Sequence, residues 1–257
     1  MLVATRTTPS VLRRWLDPRL LDDDHIATIA ADVQSRPHPR YLVLDDVFDP
    51  DLLSETARRM RKLRFQRGGV LTPFDNRYVH GRDGVHFSTE LLCDTAWHDL
   101  AARLMGVELL RPGLHELRFY RQRPGGRGLW VHTDRTEHVP TRVGVLVYLN
   151  HRWHRDDGGI LQIWDEIGPA DPEDPRLLKY WAHVGVPLDA LVGADEIRIE
   201  CVSGEGRLQA RHLRKVGEVV PRFGRVVFID FANSPVHHSV TPSRATKHRD
   251  NITEWLF

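Results

Sequence analysis

From His115 to its last residue the chain is a succession of short β-branched and aromatic runs, each closed by turn residues. Nothing else in it restricts the fold as much. Glu116 to Arg121, Leu129 to His132, Arg142 to Leu149, Ile160 to Trp164, Arg225 to Asp230 and Asn251 to Phe257 read as strands, because such side chains pack well on a pleated surface. Many short strands broken by Gly and Pro make a sandwich or barrel, and a double-sheet jelly roll is one way such chains hide their edges.

The first 110 residues read differently. Apolar spacing at Leu12, Trp15, Leu16, Leu20, Ile26 and Ile29 predicts helix from Val11 to Gln34, ending before Pro37. Asp49-Pro50 opens a second helix through Met60 and Leu63, with a capping carboxylate followed by proline in the first turn. A third covers Thr95 to Met105 and stops at Gly106, and Tyr41 to Asp45 is a short apolar strand. Arg67 to Gly84, with Gly68, Gly69, Pro73, Gly81 and Gly84, reads as a long mobile loop. The expectation is one domain over 1–257: a helical flank with the first strands in 1–110, a β core in 111–257, and an insertion at 165–224. Within that insertion, Ile197 to Val202 and Arg207 to His212 flank Ser203 to Gly206 like an added hairpin. Two readings of it stand: together with the Arg67–Gly84 loop it shapes substrate choice beside the mouth of the core, or it is a structural elaboration on the far rim.

Composition removes several function classes. With 36 basic against 35 acidic residues the net charge is +1, so no bulk attraction to nucleic acid or membrane is implied. Two cysteines, Cys93 and Cys201, are too few for a disulfide framework or a thiolate metal site. The opening residues lack the apolar core of a signal peptide, and no apolar run is long enough for a membrane span. A cytoplasmic location is the expectation. Oligomeric state leaves no trace in the sequence.

The chemistry concentrates at His132-Thr-Asp134, His238-Ser-Val-Thr-Pro242 and Arg249. Residues two apart in an extended segment point the same way, so His132 and Asp134 can grip one ion from a single strand end. A second imidazole from a distant strand completes the two-His, one-carboxylate facial triad, which leaves iron positions open for substrate chemistry.

Seven segments in order resemble the prolyl-4-hydroxylase-like branch of the iron(II)- and 2-oxoglutarate-dependent oxygenases: Tyr120, His132 to Asp134, Tyr148 to Asn150, Gly158 to Leu161, Phe228 to Phe231, His238 to Pro242, and Arg249 to Trp255. The resemblance covers about residues 115–257 and implies a double-stranded β-helix of the jelly-roll, cupin-like kind, braced by the N-terminal helices. It assigns Fe(II) to His132, Asp134 and His238, and the far carboxylate of 2-oxoglutarate to Arg249, whose planar fork meets a carboxylate bidentately. Tyr148 adds a phenolic hydrogen bond, Tyr120 lines the same pocket, and Thr253 and Trp255 share a strand face with Arg249. O2 is the other co-substrate and ascorbate the expected reductant. The resemblance also implies hydroxylation, because halogenating relatives lack the carboxylate that Asp134 supplies.

Competing readings stand beside these. His237 rivals His238, although the spacing His-x-Val-x-Pro favours His238. Tyr148 can be sheet packing, and His80 and His86 in the Gly-rich loop can meet substrate or solvent. Trp130, Arg135 and Arg118 are candidate substrate contacts near the mouth. The leading function is a dioxygenase hydroxylating an unactivated C–H of an amino acid or other small metabolite, releasing succinate and CO2. A prolyl or peptidyl hydroxylase is the alternative, and a non-catalytic jelly-roll binding protein is the alternative from another class.

Overall fold

The computed structural model describes residues 10–68, 74–78, 87–179, 191–233 and 236–257. Gly69, Pro73, His80, Gly81, Gly84 and His86 of the Gly-rich stretch lie outside the described residues, as does Trp181.

At the front, the single expected helix is divided into α1 (Ser10–Trp15), a 3-10 turn (Pro18–Leu21) and α2 (Asp23–Ser35). Pro18 has no N–H to continue the helical ladder. Carboxylates restart it: Asp17 accepts from the backbone N–H of Arg19, and Asp22 from those of Asp24 and His25. After strand β1 (Tyr41–Leu44), helix α3 (Pro50–Met60) begins on Asp49, which accepts from the N–H groups of Asp51 and Leu52. Helix α4 (Thr95–Met105) ends at Gly106 in the left-handed conformation, φ 60°.

Among the described residues ten further strands follow: β2 (Asp75–Tyr78), β3 (His115–Gln122), β4 (Leu129–His132), β5 (Val143–Tyr148), β6 (Leu161–Pro169), β7 (Glu196–Val202), β8 (Leu208–Val219), β9 (Val226–Asp230), β10 (His237–Val240) and β11 (Arg249–Leu256). They form a six-stranded sheet, β1-β9-β5-β11-β3-β2, and a five-stranded sheet, β4-β10-β6-β8-β7. Every strand pairing is antiparallel, and the whole is a jelly roll. β2 corrects the expectation of a continuous loop from Arg67 to Gly84. Its polar sequence has no strand periodicity, but as an edge it needs only backbone pairing with β3, and Arg123 clamps Asp75 at 2.6 Å. β8 pairs along β6 on one side and β7 on the other, so the hairpin built by 196–219 is an integral extension of the smaller sheet.

The alternation of strand side chains sorts the core into layers. Val143, Val145 and Val147 of β5 join Phe119, Phe228 and Ile252 beneath the helices. Leu146 and Tyr148 instead meet Leu161, Ile163 and Val219 between the sheets. With both faces covered, all six residues of β5 are buried. Trp164, Ile199 and Leu213 make a third cluster on the smaller sheet.

Candidate active site

β4 and β10 are neighbours in the smaller sheet, and their register sets His132 opposite His238. The imidazole centroids are 4.3 Å apart. Asp134, just past the end of β4, brings one carboxylate oxygen within 3.4 Å of His132 Nε2 and the other within 3.5 Å of His238 Nε2. One donor atom from each of the three lies within 4.8 Å of the other two.

His132 Nδ1 is 2.8 Å from the Trp130 carbonyl, which can only accept, so Nδ1 donates there and Nε2 is the ring atom turned toward Asp134. Burial disfavours charge on His132, but its hydrogen bond to Asp134 and the charge there outweigh burial and raise its pKa. Burial would raise Asp134 too, yet His238, His132 and a hydrogen bond from Trp255 hold its carboxyl well below the ordinary range. Burial and the His132 charge pull His238 down to about 3. The cluster thus offers one carboxylate and at least one neutral imidazole, and it attracts positive charge. A divalent ion suits that donor set and would displace the proton His132 otherwise gathers. His237, the rival imidazole, is fully buried but does not line the cavity on which these groups open, and its Nδ1 is 4.0 Å from Glu166.

That cavity holds about 310 Å³. Alternate residues of β11 supply one wall: Arg249, Asn251, Thr253 and Trp255. They are chained by hydrogen bonds, Arg249 Nη1 donating to Asn251 Oδ1 at 2.8 Å and Asn251 Nδ2 donating to Thr253 Oγ1 at 2.8 Å. Arg249 is 1% exposed, and its Nε has no hydrogen-bond partner. No carboxylate pairs with it among the described residues; its guanidinium instead lies 5.1 Å from the Tyr148 ring and 5.7 Å from that of Phe74. Burial lowers its pKa. A buried cation lacking an anion is a built receptor for a carboxylate. Tyr148 is fully buried, with its hydroxyl 3.5 Å from Arg249 Nη2, and Tyr120 lines the cavity. Burial raises both phenols, that of Tyr120 to about 12, so both remain neutral donors.

The three expected substrate contacts separate. Trp130 lines the cavity and donates to the Glu200 carbonyl of β7 at 2.9 Å. Arg118 stands outside its lining, ion-paired with Glu116 at 2.5 Å and lying over the Trp255 ring at 5.6 Å. Arg135 is also outside it, donating to the carbonyls of Phe231 and Ala232. Asn251 and Gly159 are further contributors that the motifs did not single out. Asn251 carried a signal, since it shares the even spacing of Arg249 and Thr253. Gly159 carried less, but a Cβ there would come within 2.7 Å of Arg249 Cδ.

The model of the 2OG-Fe(II) oxygenase superfamily matches residues 116–257, more than half of the chain. The chain belongs to that superfamily. It is an oxygenase whose cofactors are Fe(II), 2-oxoglutarate and O2, in agreement with the His/Asp/His cluster and the buried guanidinium. Solved structures share the fold at low identity. A Pseudomonas putida prolyl-4-hydroxylase aligns with TM-score 0.55 and 16% identity over 90% of this chain and 97% of its own. A Trichoplax adhaerens prolyl hydroxylase, in complex with a hypoxia inducible factor oxygen degradation domain peptide fragment, aligns with TM-score 0.57 and 15% identity over 93% and 92%. SnoN, the epimerase of nogalamycin biosynthesis, gives 0.55 and 14% over 92% and 83%. No curated protein matches by sequence. Among the described residues, no helix is long and apolar enough to cross a membrane.

Proposed function

We propose that this oxygenase hydroxylates an unactivated C–H of an amino acid or other small metabolite, with His132, Asp134 and His238 holding iron and Arg249 holding the distal carboxylate of 2-oxoglutarate. The observation that carries the reading is the opening of two charge-complementary features on one cavity: a carboxylate-centred donor triad and a buried guanidinium that no carboxylate among the described residues pairs with. When bound, iron and 2-oxoglutarate supply the oxidising power, and the keto acid leaves as succinate and CO2.

The chain's own part is positional. Arg249 and Thr253 orient the co-substrate, Tyr148 supports the guanidinium, and Asn251 keeps Arg249 in line with Thr253. Trp130, Val202, Trp255 and Tyr120 exclude water on the side left for substrate. A volume of about 310 Å³ is at the small end of ligand pockets and must serve both co-substrate and substrate, which favours a compact substrate or a single inserted side chain.

The test is succinate release against a library of metabolites and peptides, with mass detection of one added oxygen atom in the product. Activity on free metabolites supports the proposal. Oxygen incorporation confined to peptides, as the peptide-bound structural relative would suggest, replaces it with a peptidyl hydroxylase. Succinate release that survives His132→Ala would overturn the site itself.

A further inference from the structure

We propose that His98, His115 and Glu254 form a second metal site, on the side of β11 away from the cavity, that takes one Zn²⁺ ion. One donor atom from each of the three lies within 4.8 Å of the other two, and they come from α4, the first residue of β3 and β11. A bound ion would therefore tie the helical layer to two strands of the larger sheet.

Glu254 is the anomaly that motivates the site. On its face of β11 the flanking Ile252 and Leu256 pack beneath the helices, and Glu254 is 1% exposed between them. An isolated carboxylate there costs several kcal/mol unless it is paired or binds a cation. No Lys or Arg pairs with it among the described residues. Trp97 Nε1 donates to Oε2 at 2.9 Å, which fixes the carboxylate and leaves Oε1 without a hydrogen bond. His98 Nε2 is 3.2 Å from Oε1, but its N–H aims at the Leu92 carbonyl at 2.8 Å. The lone pair therefore sits on His98 Nδ1, which is also buried and has no hydrogen-bond partner among the described residues. The His115 ring lies 4.7 Å from that of His98. Two imidazoles and a carboxylate suit Zn²⁺, with water completing four-fold coordination, and an imidazole N–H held by a backbone carbonyl is the usual support for such a ligand.

The rival is an imidazolium–carboxylate pair. Burial opposes charge on His98, but Glu254 outweighs it and raises the imidazole pKa. Such a pair would stabilise the metal-free chain fully below the ordinary imidazole pKa, and the benefit would be lost as pH rises through the raised value. Zinc has the opposite sign, because it competes with protons for the imidazoles and its effect grows with pH. The groups around the cluster are Cys93 and Asp94 before α4, His115 on β3 and Glu254 on β11.

The experiment uses the full chain with His132→Ala and Asp134→Ala, so that the iron ligands cannot contribute. After chelator treatment and dialysis, Zn²⁺ is added, and bound metal, competitive affinity and Tm are read across mildly acidic to mildly basic pH. One equivalent is expected, with a Tm increase that grows with pH. Adding His115→Ala, a half-exposed position, or the isosteric Glu254→Gln should weaken binding by at least about 100-fold, since loss of an outer-shell partner alone costs about 10–100-fold. Circular dichroism confirms that both variants fold. No retained zinc, an unchanged affinity in either variant, or a Tm benefit that declines with pH overturns the site.

Discussion

A guanidinium removed from water without a paired carboxylate carries a penalty of several kcal/mol, and among the described residues none pairs with Arg249. Contact with the Tyr148 and Phe74 rings recovers only part of that, at about 0.5–2 kcal/mol for a cation–π pair. Stability and function therefore oppose each other at this residue. Arg249→Met, similar in volume and uncharged, should raise the Tm of the ligand-free protein by about 2–4 °C, which corresponds to ~1 kcal/mol in a chain of this size. It should also abolish the Tm increase that 2-oxoglutarate gives the parent and raise the co-substrate KM at least about 30-fold, the lower end of the ~2–5 kcal/mol for truncating a buried charged contact. Thermal melts with and without 2-oxoglutarate check both halves, and an undiminished ligand-induced shift would place the carboxylate elsewhere. Asn251 acts through its neighbour. Asn251→Ala orphans a buried Arg249 Nη1, at a cost of about 1–3 kcal/mol. The KM for 2-oxoglutarate should rise while kcat for its decarboxylation stays near that of the parent; a matching fall in kcat would mean that Asn251 touches the reacting atoms.

At the scale of elements, the site is a product of strand register and of two glycine contacts. Gly128, just before β4, has no room for a Cβ, which would fall 1.9 Å from the Val240 carbonyl oxygen of β10; this close approach accompanies the irregular pairing that leaves His132 facing His238. Gly159, at φ 63°, leaves space for the aliphatic stem of Arg249. Gly159→Ala should therefore lower stability by about 1–2 kcal/mol through left-handed strain and raise the KM for 2-oxoglutarate more than it lowers kcat; steady-state kinetics beside a denaturant melt would separate the two, and an unchanged KM would show that Arg249 shifts without consequence. These contacts also mark where the sequence stops being informative. His132 with Asp134, and Arg249 with Thr253 and Trp255, were legible because two-residue periodicity is a local property of a strand. α4 was legible to the residue because Asp94 and Gly106 punctuate it. Pro18 was an available break signal, overridden by apolar spacing on both sides. β2 was hidden because an edge strand held by backbone pairing needs no apolar pattern. Phe74, Val202 and Leu161 reach the cavity from separate elements, and their convergence depends on pairings that no local pattern encodes.

Over the whole molecule the two sheets divide the work. The larger sheet, stiffened by helices on its outer face, carries Arg249, Tyr148 and Thr253, the side chains suited to a co-substrate that does not vary. The smaller sheet carries the His132, Asp134 and His238 cluster at one end, and its β7–β8 hairpin brings Val202 into the cavity wall while the Glu200 carbonyl receives Trp130 Nε1. The hairpin is thus the part of the cavity wall that can change without disturbing either the metal cluster or the arginine. Enlarging Val202 tests this separation. Val202→Trp adds bulk at a half-buried position on the hairpin, away from the hydrogen-bonded chain of β11. Iron affinity and the KM for 2-oxoglutarate should stay within about threefold of the parent, because a well-separated substitution shifts them by no more than ~0.5 kcal/mol. Substrate hydroxylation should fall by about fivefold or more, the cost of ~1–3 kcal/mol that overpacking imposes on a fitted site. Succinate should then form without matching product, and the ratio of succinate to hydroxylated product is the readout. A ratio that remains near one, with substrate turnover intact, would remove the hairpin from the substrate pocket and leave Trp130, Trp255 and Tyr120 as the walls that select it.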